Sequence, residues 1–414
     1  MNPIPTTKEA ALPAPQVSLL REMRSLPRAY WALFTGIFIN RFGTFVYPFL
    51  TILLTRRHFE DWQIGVALSG YGIGGLLATL CGGWFADRFG RKNTIIAGTM
   101  LNSICVLAMA GVNSLPVLLT LTSLTGFSVG FFGPAAGALV ADVVPAHLQL
   151  RAFAGTRLAA NAGFACGTAM GGLLVNHAPH WLFIGDAITT AAYGLLAFFL
   201  IPHGVRTERH EASWREALVH MKKDHEFWLL FAGQVFVSLI FAQFSTTYSK
   251  EIMHRESMLS LWGHPVPPEQ VFGLLVGWNG LMIVFLELVL TRFTQQYRAR
   301  TVLTVGHILI AAGFGCNAFA SSFFQFFLCM SLFTVGEMLA LPTISAEVAN
   351  LAPERMRGRY MGGLSLSWAA GNLIGPQVGF ALYGWNSQAL WGICAVFGLA
   401  AATIQWLGGR NRAT

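Results

Sequence analysis

Charged residues are scarce in this sequence. Only 11% of its 414 residues are Asp, Glu, Lys or Arg, whereas an ordinary soluble domain contains about 25%. Hydrophobic residues make up 54% of the chain. A water-soluble fold has nowhere to bury so much apolar surface, so the composition excludes that class and indicates a membrane protein.

Several chemical motifs are missing as well. The sequence contains no H-E-x-x-H motif and no ATP-binding P-loop. Its six cysteines lack the spacing of zinc or redox sites and all lie in apolar segments, and His307 is a lone histidine in another such segment. We therefore expect no catalytic residue, no cofactor and no metal. Any work against a gradient must draw on a second gradient.

Long apolar runs are the main feature that is present. About 20 residues are needed to cross roughly 30 Å of hydrocarbon as a helix, and in lipid the backbone groups of a span must be satisfied within that span. The sequence predicts twelve transmembrane helices, at residues 30–54, 63–85, 93–112, 115–141, 150–175, 181–201, 227–249, 270–291, 301–320, 323–349, 359–383 and 387–407.

The basic residues indicate the orientation, because positively charged loops stay on the cytoplasmic side. With the N-terminus inside, 21 Lys and Arg residues fall in cytoplasmic segments, and four fall in outer loops: Arg56, Arg57, Lys250 and Arg255. We expect a multi-pass protein of a bacterial inner membrane with both termini cytoplasmic. The N-terminal tail lacks the apolar core of a signal peptide. Topology and anionic lipid account for the net charge of +8, so no nucleic-acid partner is expected.

An internal repeat relates the two halves of the chain. Sliding the sequence on itself by 208 residues pairs Pro134 with Pro342 and Arg151 with Arg359, among eight matches without a gap. We therefore predict an all-α membrane protein of two pseudo-symmetric six-helix bundles. The predicted units are a tail at 1–29, bundles at 30–201 and 227–408, an amphipathic cytoplasmic linker at 202–226 and a tail at 409–414.

The loop after the second helix carries a recognisable motif. Residues 83–92 read G-W-F-A-D-R-F-G-R-K. This resembles the signature loop of the major facilitator superfamily, G-x-L-A-D-R-x-G-R-K, with Phe85 where leucine is usual. The resemblance implies that fold over nearly the whole chain, with a solute site near the midplane between the halves.

The same resemblance implies a conformational latch. Asp87 lies at the cytoplasmic end of a helix, where a carboxylate is unfavourable unless a cation or another helix N-terminus faces it. In the family the equivalent acid reaches the start of the eleventh helix, here at 357–362. A loop that serves topology alone is the alternative. The latch would comprise Gly83, Asp87, Arg88, Gly90, Arg91 and Lys92.

Glycines on the fifth helix form a second pattern. Gly163, Gly167 and Gly171 recur every fourth residue, which lets two helices approach closely. The pattern resembles the antiporter motif of this superfamily, although Thr168 replaces its proline; the repeat on the eleventh helix keeps Gly375 and Pro376. General close packing is the alternative. Many drug and proton antiporters also carry an arginine where this chain has Thr122.

Charges inside the spans indicate where coupling occurs, because burying one costs about 2.5 to 3.5 kcal/mol or more unless it is paired or hydrated. Arg41 and Glu337 lie midway along helices of opposite halves, so we predict that they face each other across a cavity. Glu287 is expected to pair with Arg292 one turn away. Asp186 ranks lower, as an acid hydrated from outside.

Polar and aromatic residues at similar depth are candidates for the cavity wall: Asn40, Asn279, Gln234 and Trp368. Contacts between helices are the alternative role for each of them. The predicted partners are a small-molecule substrate, protons and the lipid bilayer, and the protein is expected to be a monomer.

The function predicted from these features is alternating access, with proton-coupled export of small amphipathic organic compounds. A proton-coupled symporter for a peptide or an organic acid is the alternative. The first helix faintly resembles that of proton-coupled peptide carriers, E-x-x-E-R-F, but Gly36, Ile37 and Asn40 leave the acids of that motif absent. A receptor that transports nothing would need neither the coupling charges nor the latch.

Overall fold

The computed structural model describes residues 26–145, 148–201, 214–255, 260–261 and 263–408. Backbone hydrogen bonds are satisfied almost entirely within helices, as a lipid environment requires. The α-helices of this part of the chain are α1 (Arg28–Phe42), α2 (Val46–Arg56), α3 (Asp61–Phe89), α4 (Arg91–Met109), α5 (Leu115–Val143), α6 (Gln149–His177), α7 (His180–Leu200), α8 (Trp214–Lys223), α9 (His225–Phe244), α10 (Thr247–His254), α11 (Pro268–Thr294), α12 (Ala299–Gly315), α13 (Phe323–Leu351), α14 (Arg357–Trp385) and α15 (Ser387–Gly408).

These helices fit the twelve spans predicted from the sequence. The first span is α1 with α2, the seventh is α9 with α10, and α8 is the linker helix; every other helix is one span. Ten helical segments of the described chain are long and apolar enough to cross a membrane. The two remaining spans, α3 and α14, are each 29 residues long and pack against each other across the two halves.

The repeat is visible in the helix bounds. Helices α5 and α13 begin and end 208 residues apart, and so do α6 and α14. Pro134 and Pro342 lie inside α5 and α13 at the same position. The two halves are therefore built alike, which confirms the predicted six-helix bundles.

Two spans are broken where the sequence predicted continuous helices. The first breaks between Phe42 and Val46, and the seventh breaks at Ser245 and Thr246. At the first break, a side chain on Gly43 would collide with Thr189 of α7, so only glycine permits this approach. At the second break, the Gln243 side chain accepts a hydrogen bond from the Thr247 hydroxyl at 2.9 Å.

We distinguish two ends of the helical bundle, the hairpin end and the linker end. The hairpin end carries the two-stranded hairpin β1 (Ser260–Leu261) and β2 (His264–Pro265), and the linker end carries α8. Across the halves, α3 packs on α14 and α6 packs on α11. A Cβ on Gly273 of α11 would lie 2.7 Å from the Thr168 carbonyl oxygen of α6, so these backbones are in close contact.

The linker helix α8 packs against α9 and α14 of the second half. Ala217 and Met221 are buried there, while Leu218 is half exposed. Helix α8 is amphipathic, as expected, but part of its apolar face packs against the second half of the protein and is not free to contact lipid. Residues 202–213 of the predicted linker, and the Trp214 side chain, lie outside the described residues.

The Tyr360 hydroxyl stabilises the packing of α8 against α9 and α14. Tyr360 of α14 is buried, and its hydroxyl donates to the Asp224 carboxylate at 3.0 Å. The His220 ring of α8 lies 2.8 Å from the same hydroxyl. Asp224 also caps α9 by accepting from the Phe227 amide at 3.0 Å. These contacts join α8, α9 and α14.

Candidate functional site

Glu337 lies on α13 and is held by α11. Its carboxylate accepts a hydrogen bond from the Asn279 amide at 2.8 Å. The same amide nitrogen donates to the Thr334 hydroxyl at 2.9 Å, so one side chain orients two groups of α13. Glu337 is only partly buried, whereas Asn279 and Thr334 are buried. The structure therefore brings together two of the residues predicted from the sequence.

An ion pair lies toward the linker end of the same wall. Glu287 of α11 pairs with Arg157 of α6 and therefore links the two halves. The predicted local pair with Arg292 is not formed, because Glu287 points toward α6 instead of along its own helix. Glu337 lies within the electrostatic reach of both Glu287 and Arg157.

Arg41 lies elsewhere. Its Cβ packs close to Gly163 of α6, and its exposed side chain borders a cavity of about 40 Å³ inside the first half. Within the described residues the Arg41 guanidinium forms no ion pair with Glu337, which is held on α13 by Asn279 instead. The two residues thus match in depth but face different surroundings in this conformation.

Asp186 of α7 is the residue that sequence reasoning undervalued. Its carboxylate accepts from the backbone N–H of Val46 at 3.1 Å and from the Thr190 hydroxyl at 3.4 Å. Asn40 donates to Thr190 at 2.9 Å, which completes the network. Since Val46 is the first residue of α2, Asp186 caps the half-helix that begins at the break in the first span. The expectation of an acid hydrated from outside is corrected, because Asp186 is only 5% exposed.

Two other candidates lie within the second half. Gln234 of α9 is buried, and neither of its amide atoms has a hydrogen-bond partner among the described residues. Trp368 of α14 is partly buried and packs edge-on against Phe241 of α9, with ring centroids 5.2 Å apart. Neither side chain joins the Glu337 or the Asp186 network.

The signature loop contacts the first half at the linker end. Gly90 has a positive φ of 84°, which favours glycine at this turn. Arg91 pairs with Asp142 of α5 and donates to the Ala138 carbonyl at 3.0 Å. Lys92 lies over the Phe198 ring at 5.7 Å, and Arg88 is exposed. The predicted latch contact of Asp87 lies outside what the structure describes, as does the environment of Gly83.

The glycine pattern packs spans within each half. Side chains at Gly163, Gly167 or Gly171 would meet residues of α1 and α2, and one at Gly375 would meet Ala242 of α9. Pro376 follows within α14. The fifth span therefore lies tightly against the first, and the eleventh against the seventh, which is the arrangement expected of close packing.

Two ion pairs join the halves at the hairpin end. Arg56 of α2 pairs with Glu269 of α11, and Lys250 of α10 pairs with Asp61 of α3. Asn176 of α6 adds a hydrogen bond to Glu269 at 3.1 Å. We call these four charged residues the hairpin-end pairs. Sequence analysis counted the two basic residues only as outer-loop charges.

Two like bundles, a partly buried acid on a wall near the interface and closure at one end define a membrane carrier. The family model described as Major Facilitator Superfamily matches residues 33–266 and 266–413. The chain belongs to the major facilitator superfamily and is a multi-pass membrane transporter, as its signature loop indicated.

Similar proteins include ion antiporters and drug-resistance proteins. The chain is 29% identical over 365 residues to a Na(+), Li(+), K(+)/H(+) antiporter of Planococcus maritimus, covering 82% of this chain and 85% of the relative. It is 22% identical over 373 residues to the quinolone resistance protein NorA of Staphylococcus aureus, covering 87% and 91%.

Solved structures with the same fold include two other solute carriers. The POT family transporter PepTSo superposes with a TM-score of 0.78 at 17% identity, covering 94% of this chain and 98% of that one. The nucleoside transporter NupG gives a TM-score of 0.75 at 14% identity, covering 92% and 99%. At these identities the likeness shows the fold alone.

Proposed function

We propose that this chain exports small amphipathic organic compounds in exchange for protons, by alternating access. The observation that carries the proposal is the carboxylate of Glu337, which lies midway along α13, partly buried and held by a neutral amide. An ionised acid at this depth is costly without a charged partner or water, and acids retained within spans usually have a function. Proton uptake removes the charge, so the protonated carrier can change between its two conformations more readily than the ionised carrier.

The direction of access is also part of the proposal. We place the linker end in the cytoplasm, because it holds most of the basic loops. The hairpin-end pairs then close the outer side in this conformation, and a substrate enters from the cytoplasm or the inner leaflet. Rocking of the two bundles about the α3–α14 and α6–α11 contacts would open the other side.

The substrate class rests on the character of the wall and on the relatives. The sequence contains 33 Phe and 12 Trp residues. Trp278 precedes Asn279 on α11 and packs against Phe327 of α13, with ring centroids 4.8 Å apart, and such aromatic side chains suit apolar ring systems. The drug-resistance name of the NorA relative agrees with export of organic compounds, and the name of the Planococcus relative agrees with exchange for protons.

The proposal is tested with purified protein in liposomes. An imposed proton gradient should drive uptake of ethidium and related amphipathic dyes, and Glu337→Gln should reduce this uptake at least tenfold while dye binding and passive exchange persist. Glu347→Gln, an acid at the linker end of the same helix, is the matched control and should pump normally. Gradient-driven uptake by Glu337→Gln at the wild-type rate, with unaltered pH dependence, would place coupling elsewhere.

Exchange of a monovalent cation for protons is the second candidate, favoured by the 29% identical relative. The cavity beside Asp186 offers oxygen ligands from Asn40, Thr44 and Tyr47. Arg41 borders the same cavity, and its positive charge opposes cation binding there. Addition of Na⁺, Li⁺ or K⁺ to liposomes loaded with a pH-sensitive dye separates the candidates, since only a cation antiporter releases protons without an organic substrate.

A further inference from the structure

Asp186 is a buried carboxylate that has no role in the transport cycle proposed above, in which Glu337 takes up the proton. It lies on α7 within the first half, and its two oxygens accept hydrogen bonds from Val46 and Thr190. Neither partner is charged. An ionised acid held in a span by neutral donors depends on those donors and on the positive end of α2 that it caps.

A small cavity with both polar and apolar lining residues adjoins this carboxylate. Its volume is about 40 Å³, and Asp186, Arg41, Tyr71 and Asn102 are among its lining residues. Asn102 is only 6% exposed, and its side-chain oxygen has no hydrogen-bond partner among the residues described. A buried water takes roughly 10–15 Å³ of such volume and needs polar partners, so about three waters fit beside Asp186. These waters could deliver a proton.

The other titratable groups of this cavity do not change charge at neutral pH. They are Arg41 from α1, Tyr47 from α2 and Tyr71 from α3, while α4 and α5 contribute no ionisable side chain to its lining. Arginine remains charged and tyrosine remains neutral throughout the physiological range. Asp186 is therefore the group of this lining whose charge can follow the pH.

Helix α2 connects Asp186 to the closed end of the carrier. It is 11 residues long, or roughly 16 Å at 1.5 Å per residue. Its first residue, Val46, is capped by Asp186, and its last, Arg56, pairs with Glu269 of the other half. The break at Gly43 separates α2 from α1, so α2 can tilt as a short rod without moving α1.

We propose that Asp186 is a second proton-binding residue of the carrier and that its protonation loosens α2 and releases Arg56 from Glu269. The proposal rests on proton coupling as the function. In the step itself, hydronium donates a proton to a carboxylate oxygen, forming an O–H bond and leaving water. The neutral carboxyl group no longer offsets the positive end of α2, and the protonated oxygen becomes a donor.

Protonation of Asp186 should favour opening of the hairpin end. The unprotonated carrier has its α2 cap intact and its hairpin end closed, as in this structure. The protonated carrier has a weakened cap and opens more readily at that end. Acid therefore favours opening and alkali favours closure.

Spin-label distances test this without substrate or transport. After replacement of the six cysteines, labels at Glu60→Cys and His264→Cys report the separation of the halves at the hairpin end. In liposomes the parent protein should show a longer distance at pH 5.5 than at pH 8.5. Asp186→Asn should show the longer distance at both values, and Asp186→Glu should restore the response. A folding check by thermal unfolding accompanies each variant.

The controls separate this proposal from the proposed function. Glu347→Gln should keep the full response to pH. An Asp186→Asn protein that still closes at alkaline pH would overturn the proposal, because the response would then come from the hairpin-end acids themselves. Loss of pumping in Glu337→Gln tests the function independently, and a failure there leaves the distance measurement interpretable.

Discussion

Asp61 and Glu269 occupy equivalent positions in the two halves, 208 residues apart, and each pairs with a basic residue of the opposite half. Both acids lie in the first turn of the second span of their half, where the helix N-terminus favours a negative charge. Arg56 is the last residue of α2, and Lys250 lies within α10. The hairpin end is therefore closed by two related contacts that exchange partners between the halves.

This arrangement predicts additive effects of the two pairs. Partly exposed ion pairs contribute about 0.2–1 kcal/mol each, so Glu269→Gln or Asp61→Asn should raise the outward-open population by a factor of about 1.4 to 5, and the double variant should multiply the two shifts. Spin-label distances at the hairpin end measure the populations.

A charge exchange provides the control for that experiment. Arg56→Glu combined with Glu269→Arg should recover the closed population that each single reversal loses. Failure of the combined variant to recover it would show that the pair does not hold the halves together.

Arg41 should affect binding as well as coupling. Its exposed side chain borders the cavity of the first half, and its charge is unpaired among the described residues. Arg41→Ala should reduce both gradient-driven transport and passive exchange about tenfold, in contrast to Glu337→Gln, and Arg41→Lys should retain part of each. Normal exchange in Arg41→Ala would remove this residue from the substrate path.

The signature loop is predicted to act as a latch. Asp87→Asn should leave the protein folded, shift its resting population toward the inward-facing state and reduce turnover. Distances between labels at the linker end of the two halves measure the shift. If those distances are the same as in the parent protein, the loop serves topology alone.

Topology gives an independent check of orientation. A reporter fused within residues 202–226 should be active only in its cytoplasmic form, as the distribution of basic residues requires. A reporter inserted in the hairpin, between Leu261 and His264, is the matched control and should give the external signal. The opposite result at both sites would invert the proposed direction of transport.

Helix number and bounds could be predicted because apolar runs and a 208-residue repeat fix them. The predicted fourth span at 115–141 ends two residues before the observed Val143. The break at Gly43 was not predicted from the local sequence, because the acid that caps the new helix end, Asp186, belongs to a helix about 140 residues further along the chain.

The depth of a side chain along its span was also easier to predict than the direction in which the side chain points. Position along a span sets the depth of Arg41 and Glu337, but a helix turns by about 100° per residue, so neighbouring positions face different surroundings. The hairpin-end acids could have been found by extending the repeat to Asp61 and Glu269, whereas their basic partners break the 208-residue offset.

The bond from Tyr360 to Asp224 decides which half carries the linker helix. Since these contacts hold α8 against α9 and α14, α8 should move together with the second half when the two bundles rock. When the bundles rock, the distance from Ile201, the residue that follows α7, to α8 should therefore change, whereas the distances from α8 to α9 and α14 should stay the same.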